Sequence, residues 1–423
     1  MSYSTIPKIL IIIGGILFFV FILASFNQNI DTSFFVSLLY NDANEFAQTG
    51  TITSNFMPIG YSGFLGLCIA NGGTNLIPVC QSLIYFSILL CALIFLIFRG
   101  VKSQKLLFGI LITAIHPVLF LNIWRIHDGN ATVLLLLGLL VACLFAERKR
   151  NFTSTLILGV VTGLLLTVRI NTILLVLPVL LIVYFPKIFE YIISLINKTF
   201  HKAYSQSMNE NIILDSKNYY FQAISFMVVT ILVFAVVNIS IKQKPFYFPG
   251  HGFYNLFAGS NEFSSRYLLS DFSGENSLKE ALSARGYTGI DKFEERLIFP
   301  SYTYKELAVE FIKEHPIEYI KLAGIKIFTL FRPGYHMVPD FSWISPEGLK
   351  RMTKILLAFP FFIWFYFILR TRANFLDKDN LLIFLVVFLY ILPFILANAD
   401  PRYRFPLDII MILDCFSRYR KLS

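Results

Sequence analysis

Long apolar blocks alternate with short polar connections along most of the chain. A transmembrane helix needs roughly 20 predominantly apolar residues, and about ten blocks reach or approach that length. They span residues 8–26, 76–98, 106–123, 131–146, 153–168, 172–186, 219–241, 353–369, 381–397 and 405–416. The pattern predicts an all-α polytopic membrane protein with about ten transmembrane helices.

Two stretches leave the number of spans open. Residues 317–331 are apolar but carry Glu318, Lys321 and Lys326 at helical spacing. This spacing favours an amphipathic helix in the membrane interface, and a crossing there would make eleven spans. Blocks 153–168 and 172–186 are short, so they form either two spans or one hairpin that does not cross fully.

The connections indicate which side of the membrane each loop faces. Lys and Arg are concentrated in alternate loops, and basic loops face the cytoplasm. The residues that would share this side are Arg99, Lys102, Lys105, Arg148, Lys149, Arg150, Lys187, Lys198, Lys202, Lys217, Arg370, Arg372, Lys378, Arg418, Arg420 and Lys421. Both termini are then cytoplasmic, and residues 27–60, which contain no Lys or Arg, lie on the outer side.

This topology predicts three parts. Residues 1–241 form an N-terminal membrane module of about seven spans, which includes the outer loop 27–60. Residues 242–350 form a second outer region, with helical patterning and short helices but apolar edges. Residues 351–423 form a C-terminal membrane module of about three spans.

Composition and charge exclude several classes of protein. The 423 residues are 56% apolar and 15% charged, against about 25% charged in soluble proteins, so a soluble multidomain enzyme is excluded. The net charge of +10 could indicate nucleic-acid binding, but residues 242–350 contain 13 basic and 13 acidic residues. The excess therefore lies in the short loops, where it reflects orientation. No P-loop or common hydrolase motif is present, so an enzyme working outside would need a lipid-borne, activated substrate.

The first outer loop contains a pair of carboxylates. Asp42 and Glu45 are three residues apart and would share one face if the segment is helical, and the loop contains no basic residue. Partial burial at the membrane edge would raise their pKa and suit them to accept a proton from a substrate. The alternative is a solvated loop helix without a chemical role.

A second polar group follows the third predicted span. His127 and Asp128 lie between two apolar blocks on the outer side. Either they are hydrated residues of a tight loop, or they face the same cavity as Asp42, as ionisable groups at membrane depth often do.

Arginines on the outer side need anionic partners. Arg169 interrupts about 30 nearly continuous apolar residues, and a lipid phosphate could bind it in bidentate fashion. Arg402 and Arg404 flank Tyr403 on the outer side before the last span, although Lys and Arg generally prefer cytoplasmic loops. An anionic ligand would explain them; the alternatives are snorkelling of Arg169 to the interface and contacts with ordinary lipid headgroups.

These segments, taken in order, resemble the GT-C superfamily of integral-membrane glycosyltransferases, in particular the bacterial protein-mannosyltransferase and aminoarabinose-transferase branch. The similar segments are Asp42-Ala43-Asn44-Glu45-Phe46 with Pro58-Ile59-Gly60-Tyr61, His116-Pro117 leading to Asp128, residues 159–178 around Arg169, Gly252 to Asn261, His315-Pro316-Ile317-Glu318-Tyr319 with Lys326, and Asp400 to Pro406. The sequence departs from the pattern at Phe46, where a tyrosine is usual, and at Asp128, where glutamate is frequent.

The resemblance implies sugar transfer, with inversion, from a polyprenyl-phosphate donor to a glycan, lipid or protein acceptor in the cell envelope. It places the protein in a bacterial inner membrane, with the site on the periplasmic side. Asp42 would be the general base, and Glu45, Asp128 and His127 would be secondary acids or acceptor contacts. The donor phosphate would be bound by Arg169, Lys326, Arg402, Tyr403 and Arg404. No cofactor follows from the resemblance, since some members use a divalent metal ion and others do not.

Two other functions fit the same pattern. An envelope-lipid transporter or flippase would also have buried arginines and a lipid groove, but it would form no glycosidic bond. A polymerase or ligase of envelope glycans would differ in its acceptor or in using a diphosphate donor.

Overall fold

The computed structural model describes residues 14–15, 34–55, 57–123, 126–189, 191, 216–270, 274–287, 295–296, 300–332, 360–370 and 378–419. Within these ranges the ordered elements are helical and no strand occurs, which confirms the all-α prediction. The predicted first span, block 8–26, lies outside the described residues except for Gly14 and Gly15.

The helices are numbered here in chain order. They are α1 (Phe34–Thr49), α2 (Ile59–Gly72), α3 (Leu76–Phe98), α4 (Ser103–Ala114), α5 (Pro117–Leu121), α6 (Gly129–Lys149), α7 (Phe152–Val168), α8 (Ile170–Tyr184, successively 3-10, α and π), α9 (Ser216–Lys242), α10 (His251–Ala258), α11 (Ser264–Ser270), α12 (Gly274–Ala284), α13 (Ser301–Glu314), α14 (Pro316–Phe331), α15 (Pro360–Arg370), α16 (Lys378–Leu396) and α17 (Phe405–Tyr419).

Four helices of the described chain are long and apolar enough to cross a membrane: α3, α6, α9 from Tyr219, and α16. Helices α4, α7, α8 and α15 are apolar but shorter. The block 106–123 is not one continuous helix. His116 has extended backbone and Pro117 begins α5, because proline cannot continue the α4 hydrogen-bond ladder.

Small residues allow the central helices to pack closely. A Cβ atom on Gly163 of α7 would lie 2.7 Å from the Val233 Cβ and 2.9 Å from the Thr230 carbonyl oxygen of α9. Gly159 faces Val229 in the same way, so α7 and α9 run in parallel. Such close backbone approach is the usual device of helices packed within a membrane, where lipid supplies no hydrophobic drive.

Contacts between helix termini show which of them lie at the same end of the bundle. Arg148 at the end of α6 donates to the Phe98 carbonyl at the end of α3, and Arg150 donates to the Tyr219 hydroxyl at the start of α9. Arg99 pairs with Asp379 at the start of α16 at 2.9 Å. We call this the basic end. The loops predicted to be cytoplasmic thus meet at one end, and Asp128, Arg169 and Lys242 lie at the opposite end.

Residues 251–308 have a small core of their own. Tyr254, Phe257 and Ala258 of α10 pack against Leu278, Ala281 and Leu282 of α12 and against Tyr304 and Ala308 of α13. Helix α14 follows, as the amphipathic pattern predicts, with Glu318 and Lys321 exposed. Lys326 differs, because its side chain is completely buried.

We expect Gly163→Ala to destabilise the bundle by about 1–3 kcal/mol, since the added methyl group overlaps atoms of α9 that cannot move away freely. Gly138→Ala is the matched control on α6, because its Cβ would make an ordinary 3.5 Å contact with Val161. The measurement is thermal unfolding of the detergent-solubilised variants. Equal unfolding midpoints for the two would contradict the close α7–α9 packing.

Candidate functional site

Asp42 is buried on α1 within a small polar group. Its carboxyl is hydrogen-bonded to the Ser54 side chain and lies near the Lys242 ammonium. Lys242 donates to the Ser54 carbonyl and lies over the Tyr247 ring, 4.7 Å from its centroid. Burial raises the Asp42 pKa to about 6, although the Ser54 hydrogen bond and Lys242 oppose this shift. Asp42 is therefore largely ionised at neutral pH yet able to take up a proton.

The chain after α1 folds back to enclose Asp42. It turns at Gly50, whose φ of 73° belongs to the left-handed region that glycine tolerates. The Ile52 N–H then donates to the Ile241 carbonyl at 2.9 Å, and this hydrogen bond attaches the loop to the end of α9. Glu45 accepts the Thr53 N–H at 2.9 Å. Asp42 and Glu45 thus lie on one helix, and Glu45 stabilises the loop after that helix through its hydrogen bond with Thr53.

Asp128 and Arg169 form an ion pair between neighbouring helices. Asp128 precedes α6, Arg169 ends α7, and the two helices are antiparallel neighbours. The Arg169 Nε and Nη2 atoms each lie 2.7 Å from a different Asp128 carboxylate oxygen, a bidentate arrangement. The anion that meets Arg169 in this structure is therefore Asp128.

His127 is held by its surroundings beside this pair. Its Nδ1 accepts the Gly129 N–H at 2.9 Å, and its own backbone N–H donates to the Tyr61 hydroxyl at 3.2 Å. Tyr61 also accepts a hydrogen bond from the buried Gln81 side chain. Helix α2 therefore contacts both polar groups, since Gly66 of α2 lies against Phe46 and the Ala43 carbonyl of α1.

The Asp400–Tyr403 turn lies against the Asp128–Arg169 pair. Asp400 accepts the Arg402 N–H at 2.8 Å and lies 3.3 Å from the Arg402 Nε. The guanidinium groups of Arg402 and Arg169 lie 5.1 and 5.8 Å from the Tyr403 ring centroid. The sequence segments around residues 128, 169 and 402 are thus brought together around one aromatic ring.

Arg404 has an internal role. Its Nε donates to Asp408 at 2.9 Å, and its Nη1 donates to the Leu330 carbonyl at 3.1 Å. The side chain is 2% exposed. These contacts join the end of α14 to the start of α17, so the described contacts of Arg404 are internal to the protein.

Lys326 is a buried cation without a carboxylate partner among the described residues. Its Nζ lies 3.3 Å from the Ser260 hydroxyl and 3.3 Å from the Leu396 carbonyl oxygen. It also lies 5.3 Å from the centroid of the Tyr319 ring, and Tyr319 donates to the same Leu396 carbonyl at 2.9 Å. Burial lowers the Lys326 pKa to about 7.

The segment before Ser260 approaches the C-terminal motif closely. A Cβ on Gly259 would lie 2.0 Å from the Ala397 carbonyl oxygen, so only glycine fits. Next to it, Asn261 accepts the Phe263 N–H at 2.9 Å and the Ser277 hydroxyl at 2.8 Å. Residues 252–261, 315–326 and 398–406, far apart in sequence, therefore meet at one place.

Two polar groups result. One contains His127, Asp128, Arg169, Arg402 and Tyr403, and the other contains Asp42 and Glu45 with Lys242 and Ser54, which the sequence analysis missed. Lys326 lies apart from both, beside Ser260, Tyr319 and the Leu396 carbonyl. Lys242 ends an apolar block and had the pattern of an ordinary loop lysine. No group of three or more His, Cys, Asp or Glu side chains suited to a metal ion occurs in the described ranges. No protein-family model, curated protein or solved structure matches this chain.

We expect the Asp128–Arg169 pair to show strong coupling in a double-mutant cycle. Asp128→Asn or Arg169→Gln alone leaves one largely buried charge without its partner, which costs about 3–5 kcal/mol. The double variant removes both charges and should recover about 1–3 kcal/mol of the summed loss. Thermal unfolding in detergent measures the three variants, and simple additivity would show that the pair does not act as a unit.

Proposed function

We propose that this protein is a membrane glycosyltransferase that moves a sugar from a polyprenyl-phosphate donor to an acceptor in the cell envelope. The observation that supports it best is the charge balance of the site. Arg169, Arg402 and Arg404 each meet one carboxylate, whereas Lys326 meets none among the described residues. A buried cation without a counter-ion favours an anionic ligand.

In the proposed reaction the donor phosphate binds beside Lys326 and Arg402. The acceptor hydroxyl attacks the anomeric carbon, its proton passes to Asp42, and the bond from that carbon to the phosphate oxygen breaks with inversion. Polyprenyl phosphate leaves with the bonding electrons. The added negative charge on its phosphate is stabilised by the cations that already surround it, and Tyr403 supplies a hydroxyl donor. The pKa of Asp42 suits a general base at neutral pH.

The position of the site agrees with this proposal. The Asp42 group and the Lys326 group lie at the end of the bundle opposite the basic end. By the charge bias of membrane proteins that end faces outward, where no nucleotide-activated sugar is supplied. A lipid-borne donor would reach it from within the bilayer.

We expect Asp42→Asn to reduce sugar transfer at least 100-fold, because general-base catalysis typically contributes about 10²–10⁴-fold. The measurement is mass spectrometry of envelope lipids and glycans from cells that lack the gene and carry wild-type or variant protein. Gln48→Ala, exposed on the same helix, is the control and should retain wild-type products.

Wild-type transfer by Asp42→Asn would remove Asp42 as the base. A wild-type protein that moves labelled lipid across vesicles without forming a glycosidic bond would instead support a flippase.

Lys326 should make donor binding depend on pH. The ammonium form is present below its pKa of about 7 and is lost above it. The donor KM should therefore rise with pH above neutrality, by up to about tenfold per pH unit. Lys326→Met should raise the donor KM at low pH and abolish this dependence. Lys321→Met, exposed on the same helix, should behave as wild type, and an unchanged pH profile in Lys326→Met would exclude the ammonium from donor binding.

A further inference from the structure

An apolar groove lies between α4, α15 and α17, on the half of the bundle near the basic end. Its volume is about 770 Å³. Phe108 and Ile112 of α4, Ile363 and Phe367 of α15, and Phe416 of α17 form its walls. Lys105, in the first turn of α4, lines the groove at the basic end. The groove is thus apolar along its length and basic at one end.

Contacts between the described helices position the walls of the groove. A Cβ on Gly109 of α4 would lie 3.0 Å from Leu96 of α3 and 3.4 Å from Phe416 of α17, so α4 packs closely on both helices. Trp364 of α15 donates to Asp414 of α17 at 2.8 Å and stacks on Phe384 of α16 at 6.4 Å. Trp364 therefore ties α15 to both α16 and α17.

The groove has the volume of a ligand site. Its volume of about 770 Å³ is within the usual range of small-molecule pockets, about 300–1,000 Å³.

The charges select among lipids. Lys102 is exposed one turn before Lys105, and both ammonium groups are at the end of α4 whose backbone N–H groups point out of the helix. Basic pockets between transmembrane helices on the cytoplasmic side bind anionic headgroups. A phosphate at this end and hydrocarbon along the walls would match the groove.

We propose that this groove binds one anionic phospholipid, with its acyl chains against Phe108, Phe367 and Phe416 and its phosphate beside Lys102 and Lys105. The site is separate from the proposed donor site, which lies at the opposite end of the bundle. The inference does not depend on the glycosyltransferase proposal, because it needs only the groove and its charges.

The experiment uses quenching of tryptophan fluorescence by phospholipids with brominated acyl chains. Phe108→Trp places the probe in the groove wall, at a side chain that is 57% exposed. Ile224→Trp is the control on α9, a similar number of residues from the basic end and 62% exposed. Each full-length variant is reconstituted in phosphatidylcholine vesicles with a small fraction of brominated phosphatidylglycerol or brominated phosphatidylcholine, and the wild-type spectrum is subtracted.

We expect brominated phosphatidylglycerol to quench Phe108→Trp at about fivefold lower mole fraction than brominated phosphatidylcholine, with no such preference at Ile224→Trp. Adding Lys102→Gln and Lys105→Gln to Phe108→Trp should remove the preference but keep quenching by both lipids. Native mass spectrometry of the unsubstituted protein should find one phosphatidylglycerol retained, lost in the double lysine variant.

Equal quenching by the two lipids at Phe108→Trp would overturn the proposal. A preference that survives the double lysine substitution would overturn the assignment of the phosphate to these lysines. Displacement of phosphatidylglycerol by equimolar polyprenyl phosphate would also overturn it, because the groove would then belong to the donor lipid.

Discussion

Charges within a helical bundle that lies in a membrane must be neutralised by the protein, because hydrocarbon does not solvate them. The basic end shows how this constraint orders the helices. Asp414 of α17 is completely buried and lies 2.6 Å from the Arg418 Nε, 3.7 Å from Arg99 of α3, and 2.8 Å from the Trp364 indole nitrogen of α15. One carboxylate thus joins three helices. Removing it would leave two arginines buried without it, a cost of several kcal/mol.

The opposite end uses the same constraint with a different result. Asp128 neutralises Arg169 and so joins α6 to α7, whereas Arg404 is neutralised by Asp408 and joins α17 to α14 through the Leu330 carbonyl. The segments 252–261, 315–326 and 398–406 meet through other contacts, because Gly259 lies against Ala397 and Asn398, and Lys326 contacts Ser260 and the Leu396 carbonyl. Lys326 is completely buried and has no carboxylate partner among the described residues, and it occupies the place where the three segments meet. An anionic ligand would supply the counter-ion that the described chain does not.

Local sequence patterns predicted the all-α class and several helices, but not the partners of the charged side chains. Residues 316–331 form a helix as the spacing of 317–331 indicates, and residues 34–49 of the first outer loop form another that brings Asp42 and Glu45 onto one element. Lys242, in contrast, contacts a carbonyl 188 residues away, a pairing that no local pattern encodes. Two local signals in the sequence do indicate features of the structure. Pro117 marks the break in the block 106–123, and Asp408 four residues after Arg404 indicates an internal ion pair.

The choice of lysine at position 326 has a physical consequence for the proposed site. An arginine stays charged when buried, whereas a lysine can lose its proton, and burial brings the Lys326 pKa to about 7. Without ligand, the site thus avoids part of the cost of a buried charge by releasing a proton. An anionic group beside Lys326 would restore the ammonium form, so ligand binding and proton uptake would be coupled. Since Arg402 keeps its charge beside Asp400, the proposed phosphate would meet one permanent cation and one that forms on binding.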